Sequence, residues 1–73
     1  MKYYQRLKAL REDRDLTQQN IAEVLFVKQT AISSYELGLR ALPIDTLETL
    51  CKFYRVSADY ILGLPKDLDY PER

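Results

Sequence analysis

The sequence contains no histidine, no tryptophan, one cysteine, two glycines and three prolines. Without an imidazole there is no ordinary base to activate a serine or cysteine nucleophile, and one thiol cannot build a His- or Cys-rich metal site. A small independent enzyme is therefore not expected, and no cofactor is implied. The lone Cys51 cannot close an intramolecular disulfide, which fits a reducing compartment. An excess of one charge is missing too, because 11 Lys and Arg balance 11 Asp and Glu. No apolar run approaches the roughly 20 residues of a membrane span. Lys2, Arg6, Lys8 and Arg11 also interrupt anything resembling a signal peptide. The expectation is a cytoplasmic chain with no membrane contact and no evident small-molecule ligand.

What is present is enough apolar material, 47% of 73 residues, for one core without staples. The apolar spacing is helical almost throughout, so the fold class is all-α. Tyr4, Leu7 and Leu10 share one face of a first helix predicted over residues 3–13, and Asp15 stands where the chain must reverse. Thr17 is a good N-cap for a second helix reaching Leu25, with Ile21, Ala22 and Leu25 inward. A third helix begins at Lys28 or Gln29, turns Ile32 and Tyr35 to the core, and stops at Gly38. Pro43 opens a fourth, whose stripe is Ile44, Leu47, Leu50, Cys51 and Tyr54. Ser57 caps a short fifth helix, Val56 and Ile61 have the spacing of a hydrophobic staple, and Gly63 ends it. Tyr35, Tyr54 and Tyr60 are expected to pack inward. Residues 1–65 thus form one domain, and residues 66–73, with five charges and Pro71, are expected to be a loosely ordered tail.

Two short helices joined by a tight turn, with a small residue in the first and an apolar pair three apart in the second, form the framework of a helix-turn-helix reader of DNA. Here the segment is Gln18 to Glu36, held by Ile21, Ala22, Leu25, Val27, Ile32 and Tyr35. Its outward face would be Gln29, Thr30, Ser33 and Ser34, whose amides and hydroxyls are the groups that read base edges. A helix N-terminus with Lys28 beside it suits phosphate.

From Leu7 to Gly63 the chain resembles the Cro and phage-repressor regulators, also called the xenobiotic-response-element family. The resemblance is carried by Leu16-Thr17-Gln18, Ile21-Ala22, the run Ala31 to Gly38, Leu47 with Leu50, and the run Val56 to Gly63. It implies a five-helix, lambda-repressor-like bundle whose third helix enters the major groove of double-stranded DNA, usually as a homodimer on a pseudo-palindromic operator. Carried over residue by residue, Gln29, Thr30 and Ser33 would read bases, with Ser34 between base and backbone. Gln18, Lys28 and Arg40 would hold phosphate, and Arg11 would pair with Glu36. Two positions depart from the pattern. Phe26 stands where a residue suited to positive φ is usual, and Lys28 stands where Ser or Thr would cap the helix.

The expected function is a transcriptional repressor that occupies its operator. Two alternatives stand beside it: an antitoxin that binds DNA as a toxin's partner, and a protein-interaction module on the same fold. Ile61, Leu62, Leu64 and Leu68 are the candidate dimer surface, with Tyr3, Tyr4 and Tyr70 as further contacts. The balanced charge conceals a polarity: residues 1–40 hold seven basic and five acidic groups, and residues 41–73 four and six. The half with the proposed reading helix is the positive one.

Overall fold

The computed structural model describes residues 1–65, which form five helices: α1 (Tyr3–Asp13), α2 (Gln18–Leu25), α3 (Gln29–Glu36), α4 (Ile44–Tyr54) and α5 (Ala58–Leu62). The expected tail at residues 66–73, and with it Leu68 and Tyr70, lies outside the described residues.

Each helix begins and ends where local chemistry directs. The backbone N–H of Lys2 donates to the Gln5 side chain (2.8 Å) at the start of α1. At α2, the Thr17 hydroxyl accepts from the Asn20 backbone (3.0 Å) and the Asn20 side chain accepts from the Thr17 backbone (2.9 Å), a reciprocal box that satisfies two end donors. The Ser57 hydroxyl does the same for the Tyr60 N–H at α5 (3.2 Å). Lys28 precedes α3 without a side-chain cap.

Left-handed residues provide the reversals: Asp15 (φ 55), Phe26 (φ 57), Gly38 (φ 75), Arg55 (φ 58) and Gly63 (φ 72). Gly38 is needed for a second reason. A Cβ there would stand 2.7 Å from the Tyr4 ring, so the glycine also lets α1 close over the end of α3. Phe26 keeps the left-handed turn between α2 and α3 in spite of its bulk, and its ring is 96% exposed, so no packing contact offsets the strain.

The core is Leu7, Leu10, Ile21, Ala22, Ile32, Tyr35, Leu47, Leu50, Tyr54 and Ile61. The pair α2 and α3 is the most closely packed, α1 lies against both α3 and α5, and Ala22, wholly buried, is the small residue that permits the close approach.

Four apolar assignments differ from expectation. Ile44, the first residue of α4, is 77% exposed at an open groove it lines with Leu47, Val56 and Ala58. Val27, in the turn rather than on a helix, is exposed, as is Tyr60. Ile61 is fully buried and belongs to the core, not to a dimer surface, whereas Leu62 and Leu64 are exposed. Tyr3 and Tyr4 are half-buried and meet edge to face.

Replacing Phe26 by glycine removes a left-handed penalty without removing a contact, and the gain is reduced by the greater freedom of glycine in the unfolded chain. Urea unfolding of Phe26→Gly should therefore show a stabilisation of about 0.5–1 kcal/mol; a loss would mean that the ring has a packing role in the folded chain.

Candidate nucleic-acid interface

Of the side chains singled out along Gln18–Arg40, Gln18, Gln29 and Glu36 join one hydrogen-bonded chain that runs from the inside of the domain to its surface, whereas Lys28, Thr30, Ser33, Ser34 and Arg40 stand outside it. It begins at Arg11, in the last turn of α1, and Glu36, the final residue of α3, both buried. Arg11 Nε donates to Glu36 Oε2 (2.7 Å) and Nη2 to Oε1 (3.0 Å), a two-pronged pair, while Nη1 donates to the Leu16 carbonyl (2.8 Å). The bonding to Glu36 raises the Arg11 pKa and outweighs the opposing effect of burial.

Gln18, the first residue of α2, continues the chain. Its Nε2 donates to Glu36 Oε1 (3.1 Å), and its Oε1 accepts from Nε2 of Gln29, the first residue of α3. Gln18 is half-buried and Gln29 exposed, so the chain surfaces at the N-terminus of α3. Among the described residues, no buried side-chain nitrogen or oxygen lacks a hydrogen-bond partner.

Around that end, Thr30 is exposed while Ser33 and Ser34 are half-buried. Lys28, Thr30, Ser34 and Arg40 line one shallow cleft with Val27, Ala31 and Tyr35. The Arg40 guanidinium lies over the Tyr35 ring at 5.9 Å, which holds a loop cation beside the helix. Between Lys28 and Arg40 the only acidic residue is Glu36, and Arg11 neutralises it, so the exposed charge of this segment is entirely positive.

The links from Gln18 to Glu36 and to Gln29, and from Arg40 to Tyr35, were not among the sequence expectations. The signal available was only that two glutamines open consecutive helices. Among the described residues there is no group of three or more His, Cys, Asp or Glu that could hold a metal ion, and no helix is long and apolar enough to cross a membrane.

The network supports two stability predictions. Arg11→Met should cost about 3–5 kcal/mol in urea unfolding because it strands a buried carboxylate, whereas Arg11→Met combined with Glu36→Leu should recover most of that loss. An equal loss in both variants would mean that packing, not the orphaned charge, sets the cost.

Tyr54 is buried beside the pair, and burial, with the negative charge of Glu36 adding, pushes its hydroxyl up to about 12. Because the folded value exceeds the ordinary value near 10, this stabilisation is complete below about pH 10 and fades as pH rises toward 12. Stability compared with Tyr54→Phe should therefore decline over that interval, and parallel pH curves for the two proteins would refute the linkage.

Residues 7–61 match the family model described as Helix-turn-helix. The chain is 40% identical over 67 residues to the HTH-type transcriptional regulator YobD of Bacillus subtilis, covering 92% of this chain and 60% of that protein. It is 37% identical over 63 residues to the HTH-type transcriptional activator BcrR of Enterococcus faecalis, covering 86% of this chain and 31% of BcrR. It thus spans three fifths of one relative and under a third of the other. The crystal structure of a transcriptional regulator from Listeria innocua shares the fold, with a TM-score of 0.83 over 96% of this chain and 65% of that one, at 23% identity. With the two opening glutamines, the buried pair and the left-handed turn in place, the chain belongs to the helix-turn-helix family.

Proposed function

We propose that the chain is a sequence-specific DNA-binding regulator of the Cro and phage-repressor type, which lays α3 in the major groove. The observation that carries this is the exposed N-terminal turn of α3, where Gln29 is fixed by Gln18 and the surrounding exposed charge is positive. Gln29, Thr30, Ser33 and Ser34 are the base-reading candidates, the exposed Gln29 and Thr30 foremost. Gln18, Lys28 and Arg40 hold phosphate. Gln18 still has one N–H beyond the bond to Glu36, and Lys28, the uncapped residue before α3, brings a cation that phosphate would neutralise.

One reading module buries roughly 600–1,000 Å² on DNA, too little for strong selectivity at a single half-site. The active unit is therefore a homodimer with its reading helices about 34 Å apart, on a pseudo-palindromic operator. Leu62 and Leu64, exposed at the end of α5, are the candidate contacts. Regulation is by repression in the cytoplasm, since occupying an operator blocks transcription without a second protein surface. BcrR is an activator, so the sign is tested directly. A reporter with the selected site overlapping its promoter should fall in output when the chain is expressed; a rise would overturn repression and leave DNA reading intact.

Selection from random duplex DNA at low salt should enrich a two-fold motif. Gln29→Ala should relax one position in each half-site at about 1–3 kcal/mol, whereas Arg40→Ala should weaken all sequences alike and lower the salt slope by about 1. Failure to enrich any motif would overturn the DNA-reading function in favour of a protein-interaction role.

A further inference from the structure

Tyr35 belongs to two surfaces at once. With Leu7, Ile21, Ile32 and Leu50 it lines a small cavity inside the core, and with Lys28, Thr30, Ser34 and Arg40 it walls the outer cleft beside α3. The residue is only 8% exposed, so its ring is fixed by the core. Packing alone would be met by leucine at this position. What the ring adds is a face toward the cleft, and the Arg40 guanidinium lies over that face at 5.9 Å, within the roughly 6 Å reach of a cation–π contact.

The backbone of Arg40 is tied to the same helix. The Ser34 carbonyl accepts from the N–H groups of Leu39 (2.9 Å) and Arg40 (3.3 Å), and the Tyr35 carbonyl accepts from Gly38 (3.1 Å). Both ends of a long side chain are thus held against α3, although residues 37–41 are all exposed. Among the described residues no acceptor takes a side-chain N–H of Arg40, and no carboxylate pairs with it. The ring attracts the cation without accepting those N–H groups as a carbonyl or carboxylate would, so the planar fork stays free for an external oxyanion. An arginine held in this way loses less freedom on binding than one that waves in solvent.

We propose that Tyr35 is a positioning residue for the phosphate contact: its ring holds the Arg40 guanidinium at the cleft before DNA arrives, so that the loop cation meets one particular backbone phosphate in each half-site. This rests on the DNA-reading function proposed above. Tyr35 touches no DNA in this scheme. It turns a surface charge into a directed set of donors, and a lysine, which has no planar fork, does not replace Arg40.

The test is binding of the full chain to its selected site, with each phosphate in turn replaced by an uncharged methylphosphonate. The wild type should lose about tenfold at one position in each half-site, as for a lost hydrogen bond to a charged group. That loss should vanish in Arg40→Ala, which identifies the phosphate. Tyr35→Phe keeps the ring and should retain the full loss. Tyr35→Leu keeps an apolar side chain but no ring face; it should bind the unmodified site about two- to fivefold more weakly and show a smaller loss at that phosphate alone. Arg40→Lys leaves the core untouched, which keeps the test decisive if Tyr35→Leu does not fold. It should keep the salt slope of the wild type and show the same smaller loss. An undiminished loss in the folded variants, an equal drop in sensitivity at every phosphate, or no phosphate whose effect depends on Arg40 would overturn the role of Tyr35 and leave the reading function standing. Absence of any wild-type motif would overturn both.

Discussion

The domain is organised around a buried carboxylate. Glu36 closes α3, and the guanidinium that neutralises it comes from the far end of α1, 25 residues earlier. Such a pair stabilises little in itself, because desolvating two ions offsets much of their attraction. Its value lies in geometry. Arg11 uses three nitrogens, two on Glu36 and one on the Leu16 carbonyl, so α1, the loop before α2 and the end of α3 are fixed at one point. A purely apolar contact could have supplied comparable stability, but an apolar contact has no polarity to transmit. Only a group that accepts and cannot donate compels the glutamine beside it to turn one way.

The two ends of α3 consequently have different tasks. Its C-terminal end is locked by Glu36 and by Gly38, which receives the Tyr4 ring, and its N-terminal end is open. The N-terminus carries Lys28 where a hydroxyl cap would ordinarily sit, so the orphan amides of the first turn keep their capacity for an external acceptor. A cation near the positive end of the helix dipole costs a few tenths of a kcal/mol in the free protein. On the proposed function this cost is removed when a phosphate arrives, and the missing cap becomes part of binding.

Much of this was legible in the residues. Thr17, Ser57, Gly38 and Gly63 mark helix ends by mechanisms confined to a few neighbours, so α2 and α5 begin and end where the residues predict. Burial at helix ends was less legible. Ile44 and Ile61 are both apolar and both on periodic stripes, but one is 77% exposed and the other fully buried. The difference is tertiary: α5, which carries Ile61, packs on α1 and α4, whereas Ile44, the first residue of α4, stands at an open groove beside Val56 and Ala58. Phe26 was legible as an anomaly but not in its outcome, since a sequence shows that a bulky residue occupies a left-handed position without showing whether the turn or the residue yields. The turn is retained. The Gln18 to Gln29 link was not legible, because eleven residues and a turn separate them and nothing local determines how an amide is rotated.

The balanced charge follows from the same arrangement. Recognition built on amides and hydroxyls needs few cations, and each one added would raise affinity for every sequence alike. In the segment from Lys28 to Arg40 the exposed cations stand at the two ends, and the one carboxylate is withdrawn into the core and neutralised by an arginine from another helix. Burying Glu36 therefore does two things at once. On the proposed function, it removes a negative charge from the surface that faces phosphate, and it places that charge against Gln18. On the proposed function, such a protein forgoes strong non-specific attraction, and its selectivity comes from how its few hydrogen-bonding groups are held.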